Sequence, residues 1–203
     1  VGRNIAENAA KLGQNVKLLT ALGNDYFGNF LREHCIEAGI DISETLISDQ
    51  FPSSAYLCIM NRNRDMAGAV SDMDILNLIT PEFISRKKDT ICGARLVIID
   101  NNLMPKTISA IKELEPEKIL FDAVSGKKLR RSASVINNID TVKLNSIEAE
   151  ILTGHKVDNF NDAEYVSGLI SARGITNIFI TLVSEGALYR SSGKFWSIRP
   201  EDI

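Results

Sequence analysis

The chain has 203 residues, with 23 Lys and Arg against 26 Asp and Glu, a formal net charge of -3 and 44% hydrophobic residues, a composition too apolar for a disordered segment. A sequence pI near 5.5 gives no footprint for nucleic acid or an anionic membrane, and apolar runs such as residues 96–99 fall far short of the roughly 20 residues a membrane span needs. These features argue against nucleic-acid binders and helical membrane proteins and leave a cytoplasmic, globular chain, with small ligands open to it, as the expectation.

Residues 3–12 have helical composition and stop at Gly13, and residues 16–22 (VKLLTAL) read as one compact strand. Asp25 caps a helix running through Phe27, Phe30 and Leu31 to the stop at Gly39. The helix–strand rhythm then breaks. Residues 42–48, 54–61 and 67–72 read as three short strands with turn-formers between them, predicting a small antiparallel insert over about residues 40–75. Thr80-Pro81-Glu82 supplies an N-cap, a first-position proline and a first-turn acid for a short helix. Strands at 95–100, 118–124, 141–144 and 177–183 then alternate with helices near 105–114, 129–137, 147–152 and 163–172. Apolar strands separated by helices predict a doubly wound, mostly parallel sheet with helices on both faces and ligands at the carboxyl ends of its strands.

Polar residues gather at those ends: Asp100-Asn101-Asn102, then Asp122 and Ser125, then Asn145, then Thr181. Each alone is what any strand leading into a loop would show, but four ends in succession point to a ligand. Cys35, Cys58 and Cys92 are odd in number and lack a CxxC spacing, which fits reduced thiols. With His34 and His155 the only imidazoles, a zinc site is not expected. No GxGxxG follows a strand, which disfavours a dinucleotide-binding enzyme.

Several spaced motifs carry a resemblance. Asn4-x-Ala6 with Gly13 and Gly23, Gly39-Ile40-Asp41, the short-strand insert, Asn145-Ser146-Ile147-Glu148 with Thr153-Gly154, and Ile180-Thr181-Leu182-Val183 with Gly186 occur in this order. Together they resemble the ribokinase (phosphofructokinase B) family of carbohydrate kinases, with Val183 where glycine is usual. Val1 to Asn8, Ser71-Asp72-Met73-Asp74, Asp100-Asn101-Asn102 and Asp122-Ala123-Val124-Ser125 with Lys127 are most similar to its pseudouridine kinases. Asn101 and Ala123 stand where Ala and Pro are commoner.

The resemblance implies one ribokinase-like kinase domain over residues 1–203, truncated at both ends, with the insert at about 40–75 as its lid. It implies ATP and Mg²⁺ as cofactors, with room for a monovalent cation, and a nucleoside or sugar as substrate. Gly2, Asn4, Asn102 and Asp122 would contact that substrate, Asn145, Thr181 and Gly186 the nucleotide, and Glu148 the metal. The plain alternatives are a first-turn helix acid for Glu148 and a β-branched strand residue for Thr181. The family's catalytic aspartate lies in a G-A-G-D segment expected beyond Ile203, and Asp202 lacks the glycine nest that would make it the base. A lid bearing Tyr56, Leu57 and Ile59 needs cover, which closure over substrate or pairing with a second lid in a homodimer would each give. A catalytically silent protein that uses the lid as an interface, and a kinase for a free sugar, remain open at this point. An Asp or Asn acceptor is expected to recognise the extra ring N–H that distinguishes pseudouridine from uridine.

Overall fold

A computed structural model describes residues 1–63 and 66–200, so Asp202 lies outside the described residues. The chain forms two compact units, Val1–Phe83 and Ile84–Ile203.

The first unit comprises α1 (Gly2–Lys11), β1 (Val16–Lys17), β2 (Ala21–Gly23), α2 (Tyr26–Glu37), β3 (Ile40–Asp41), β4 (Leu46–Ser48), β5 (Ala55–Met60), β6 (Met66–Asp72) and a 3-10 turn at Asp74–Leu78. Its small core joins Ala6, Cys35 and Ile40 to the half-buried Val16, Leu18 and Ile42. The run expected as one strand over residues 16–22 is two. β1 pairs in parallel with β3 and β2 in parallel with β4, because the chain changes partner where Leu18 N donates to Asp41 O and Leu46 N donates to Thr20 O. Residues 46–48 therefore join a parallel ladder, which corrects the expected three-strand antiparallel insert: the antiparallel part is the two-stranded hairpin β5–β6. Leu57 and Val70, opposite one another in that hairpin, are each 70% exposed. Asp25 fixes the hairpin's approach. Its carboxylate caps α2 by accepting from Gly28 N at 2.7 Å and also accepts from Ser53 N at 2.6 Å, two residues before β5. Those bonds hold the Asp25 carboxyl below its ordinary value, the Ser53 N–H contributing most.

At the division between the units lies α3 (Pro81–Arg86), whose first turn is capped by Thr80 Oγ1 accepting from Phe83 N at 3.3 Å. The second unit continues with α4 (Lys88–Cys92), β7 (Val97–Asp100), α5 (Pro105–Glu113), β8 (Ile119–Asp122), α6 (Gly126–Ser132), β9 (Thr141–Asn145), α7 (Ser146–Thr153), α8 (Phe160–Ser171), β10 (Asn177–Thr181), a 3-10 turn at Val183–Glu185, β11 (Ala187–Ser191) and β12 (Lys194–Ile198). Its sheet runs β12-β11-β10-β9-β8-β7, parallel from β7 to β10 and antiparallel across β11 and β12. Ile99, Phe121, Val142 and Ile178 form one buried row across four strands, none more than 2% exposed. The next row on the opposite face is Asp100, Asp122, Lys143, Phe179, Tyr189 and Trp196, with the last three rings stacked at 4.4 and 5.3 Å.

The C-terminal hairpin was not expected from the sequence, although Ser192 and Gly193, with φ of 48° and 78°, form the two-residue turn that a right-twisted hairpin favours. Helix α6 also starts and ends earlier than the expected 129–137. Residues 133–139 bury Ile136 and Ile139 but are irregular. Side chains replace helical bonding there: Lys112 Nζ donates to Val135 O and Asn137 O at 2.8 and 2.7 Å, and Arg173 Nε donates to Asn137 Oδ1 at 2.8 Å.

Candidate active site

Four parallel strands end on the same edge of the sheet, and that edge gathers the second unit's candidate residues. Asp100 and Asp122 are register partners across β7 and β8, and Asn145 and Thr181 are partners across β9 and β10. Asp122, 8% exposed, accepts from Val124 N at 2.9 Å and lies 3.7 Å from the Lys143 ammonium. Just beyond it, Ser125 N donates to Ala123 O at 2.7 Å around Val124, whose φ is 64°. A three-residue turn with positive φ on a β-branched residue is strained, and the strain lies where β8 hands over to α6.

Asn145 ends β9 and caps α7. Its Oδ1 accepts from Glu148 N at 2.8 Å while its own N–H donates to Glu148 Oε2 at 2.8 Å, a reciprocal capping box. The helix-acid reading of Glu148 is what this capping box shows, and the carboxylate it seats is only 1% exposed. Burial pushes its carboxyl above the ordinary range and nearby Asp122 pushes the same way, while the Asn145 N–H and Lys143 oppose them. A buried carboxylate held partly against its charge is one that a cation would stabilise. Among the described residues no three His, Cys, Asp or Glu side chains cage a metal. Mg²⁺ characteristically keeps its waters and substrate phosphates and takes one or two protein carboxylates, so the chemistry of Glu148 with Asp122 beside it fits that ion.

Thr181 Oγ1 donates to Leu144 O at 3.4 Å, tying the ends of β10 and β9. The following loop closes through Leu182 N donating to Gly186 O at 2.7 Å. Gly186 has φ of 108°, and a Cβ there would fall 2.0 Å from Ile198 O, so its glycine is required by backbone packing whatever else it contacts. Asn102 follows β7, and its Oδ1 accepts from Lys128 Nζ. Lys127 is exposed, so it is Lys128 that meets Asn102.

Gly2 and Asn4 belong to the first unit. Gly2 opens α1, and the exposed Asn4 accepts from Arg3 at 3.0 Å, with Arg3 paired to Glu7 at 2.8 Å. Asp72 and Asp74 are exposed beside the end of β6, joined by Asp74 N donating to Asp72 Oδ1 at 3.3 Å. Sequence reasoning missed Lys128 and Lys143. Lys143 had a signal: a charged residue in an apolar strand, two before Asn145, shares its face by the period of two.

Comparison with known proteins identifies the family. The family model described as pfkB family carbohydrate kinase matches residues 1–202. The pseudouridine kinase of Escherichia coli (strain K12) is 30% identical over 190 residues, covering 93% of this chain and 61% of that protein. The uncharacterized sugar kinase YeiI of the same strain is 31% identical over 186 residues, covering 91% of this chain and 51% of its own length. The chain therefore spans between about half and three fifths of these curated relatives. The structure of Arabidopsis thaliana ribokinase complexed with ribose and ATP superposes with a TM-score of 0.81 at 18% identity, over 100% of this chain and 67% of that one.

Proposed function

Because the chain belongs to the pfkB family of carbohydrate kinases, we propose that the whole protein transfers the γ-phosphoryl group of ATP to a ribosyl hydroxyl, in its narrowest form the 5′-hydroxyl of pseudouridine. The observation that carries this reading is the buried Glu148 carboxylate, seated by Asn145 beside Asp122 and Lys143 at the strand ends. Phosphoryl transfer to an alcohol asks the protein mainly for positioning and for charges around the transferring group.

In this reading Asn102 and Asp122 hold the acceptor, and Gly2 and Asn4 keep their reading as sugar contacts. Glu148 and Asn145 organise Mg²⁺ and its water shell, which offset charge on the phosphates. Thr181 and the loop closed at Gly186 meet the nucleotide. The proton of the attacking hydroxyl would go to an aspartate of the G-A-G-D kind that the family resemblance implies, and a monovalent cation is compatible with the same site. Pseudouridine is favoured by the 30% identity to a pseudouridine kinase and by the motifs at Asp100 to Asn102 and Asp122 to Ser125. A soluble cytoplasmic setting belongs to the same proposal; among the described residues no helix is long and apolar enough to cross a membrane.

The exposed apolar hairpin β5–β6 is read as a lid, and pairing with its counterpart in a homodimer would cover it. Steady-state kinetics of the whole protein with ATP, Mg²⁺ and pseudouridine, uridine, ribose or fructose test the reading. The expected result is the highest kcat/KM for pseudouridine. A clear preference for a free sugar would overturn the acceptor, and no turnover with any of them would favour a silent assembly protein.

A further inference from the structure

The loop that follows β7 is held residue by residue by one face of α6. Lys128, Arg131 and Ser132 share that face by their spacing. Ser132 Oγ donates to Asn101 Oδ1 at 2.8 Å, Lys128 Nζ donates to Asn102 Oδ1, and Arg131 donates to Leu103 O at 3.0 Å. From the strand side, Asn101 Nδ2 donates to Ala123 O at 3.2 Å and Asn102 N donates to Asp100 Oδ1 at 3.0 Å. Asn101, fully buried, uses its amide on these neighbours and anchors the loop. Asn102, partly exposed, is the residue that the anchored loop presents.

The chemistry of the Lys128 contact decides which way that amide faces. An ammonium has three donors and no acceptor, so the carboxamide atom turned toward it is the oxygen, and the NH₂ group points away. We propose that Lys128 is a positioning residue that locks the Asn102 carboxamide with its NH₂ turned away from α6 and toward the ligand. The site therefore offers a donor at this point and selects an acceptor, a carbonyl or hydroxyl oxygen of the substrate. The inference rests on the reading of Asn102 as a substrate contact. Its consequence is specific: the group that Asn102 turns away from α6 is a donor, while Lys128 already occupies one of the two lone pairs of its Oδ1. Burial pushes the Lys128 ammonium below its ordinary value while Asp100 opposes this, as expected of a cation retained in a half-buried place by its partners.

The test has a ligand-free arm and a binding arm, both on the whole protein. In the first, the Asn102 side-chain NH₂ resonances, assigned by their loss in Asn102→Asp, are followed by ¹⁵N relaxation. The expected result is an ordered NH₂ in the wild type and in Lys128→Arg, and a mobile one in Lys128→Met. An NH₂ as ordered in Lys128→Met as in the wild type overturns the lock. In the second, calorimetry with pseudouridine should show about tenfold weaker binding in Lys128→Met, as for the loss of one hydrogen bond to a charged group, a larger loss in Asn102→Asp and near-complete rescue in Lys128→Arg. Equal binding by the wild type and Lys128→Met also overturns the inference. If no ribosyl compound binds while the amide order still follows Lys128, the lock stands and the proposed acceptor is what fails.

Discussion

Replacing Glu148 by Gln separates the two tasks that one side chain carries. Gln serves a capping box as well as Glu does, so the bond to Asn145 N at 2.8 Å survives, while the charge is removed from a site only 1% exposed. The native state holds the Glu148 proton more tightly than the unfolded chain, because burial raises its carboxyl above the ordinary value. Its favourable contribution is therefore complete below the ordinary carboxylate range and is lost as pH rises through the raised native value. Each tenfold weakening of that acid lowers stability at neutral pH by about 1.4 kcal/mol, which for a chain of this size is roughly 3–6 °C in Tm. Glu148→Gln should accordingly melt higher than the wild type near pH 7 and converge with it below about pH 4. A divalent cation reverses the order. At about 4 Å and an effective dielectric constant near 20, even a single positive charge interacts with a carboxylate by about 4 kcal/mol before desolvation. Losing the carboxylate should then weaken Mg-ATP binding by at least about tenfold. Melting curves from pH 3 to 8, with and without Mg-ATP, read both effects. A variant that melts no higher at pH 7 and binds Mg-ATP as tightly as the wild type would reduce Glu148 to a helix cap.

Val183 holds a φ of 43° while 90% exposed, so Val183→Gly relieves about 1–2 kcal/mol of left-handed strain against about 0.4–1 of added unfolded-state entropy. The net gain of roughly 1 kcal/mol should appear as a Tm higher by about 2–4 °C, and a lower Tm would contradict the strain. Gly186→Ala drives a Cβ to within 2.0 Å of Ile198 O at a φ of 108° and should cost at least about 2 kcal/mol in denaturant unfolding; a neutral result would mean the loop relaxes freely. Lys112→Met strips the donors from Val135 O and Asn137 O and should cost about 1–3 kcal/mol, with faster amide exchange across residues 133–139. Unchanged exchange there would show that the irregular segment holds without its lysine.

The strands that carry the site were legible because each is an apolar run closed by a helix signal: Asp122 precedes the start of α6, and Asn145 with Glu148 announces α7 through its capping box. The pairing of residues 16–23 was not. A seven-residue apolar run looks the same whether it joins one neighbour or two, and the switch from β3 to β4 rests on backbone bonds to residues more than twenty positions away. The same holds for β4, whose parallel partner lies upstream of α2, so its sequence resembles that of the hairpin strands it precedes. Residues 133–139 mimicked a helix because Leu129 and Ile136 share helical spacing, while the Lys112 and Arg173 side chains that donate to Val135 O and Ala133 O there come from distant elements. Asn102 and Asp122 were readable as polar strand ends, but their cationic partners, Lys128 and Lys143, arrive from α6 and β9 and become visible only in three dimensions.

Isotope transfer follows the destination of the phosphoryl group directly. The whole protein, incubated with [γ-³²P]ATP, Mg²⁺ and pseudouridine, should yield labelled pseudouridine 5′-monophosphate, at a rate that Glu148→Gln lowers. Label that remains in ATP or appears only as inorganic phosphate, with no labelled nucleoside or sugar phosphate from pseudouridine, uridine or ribose, would contradict the account.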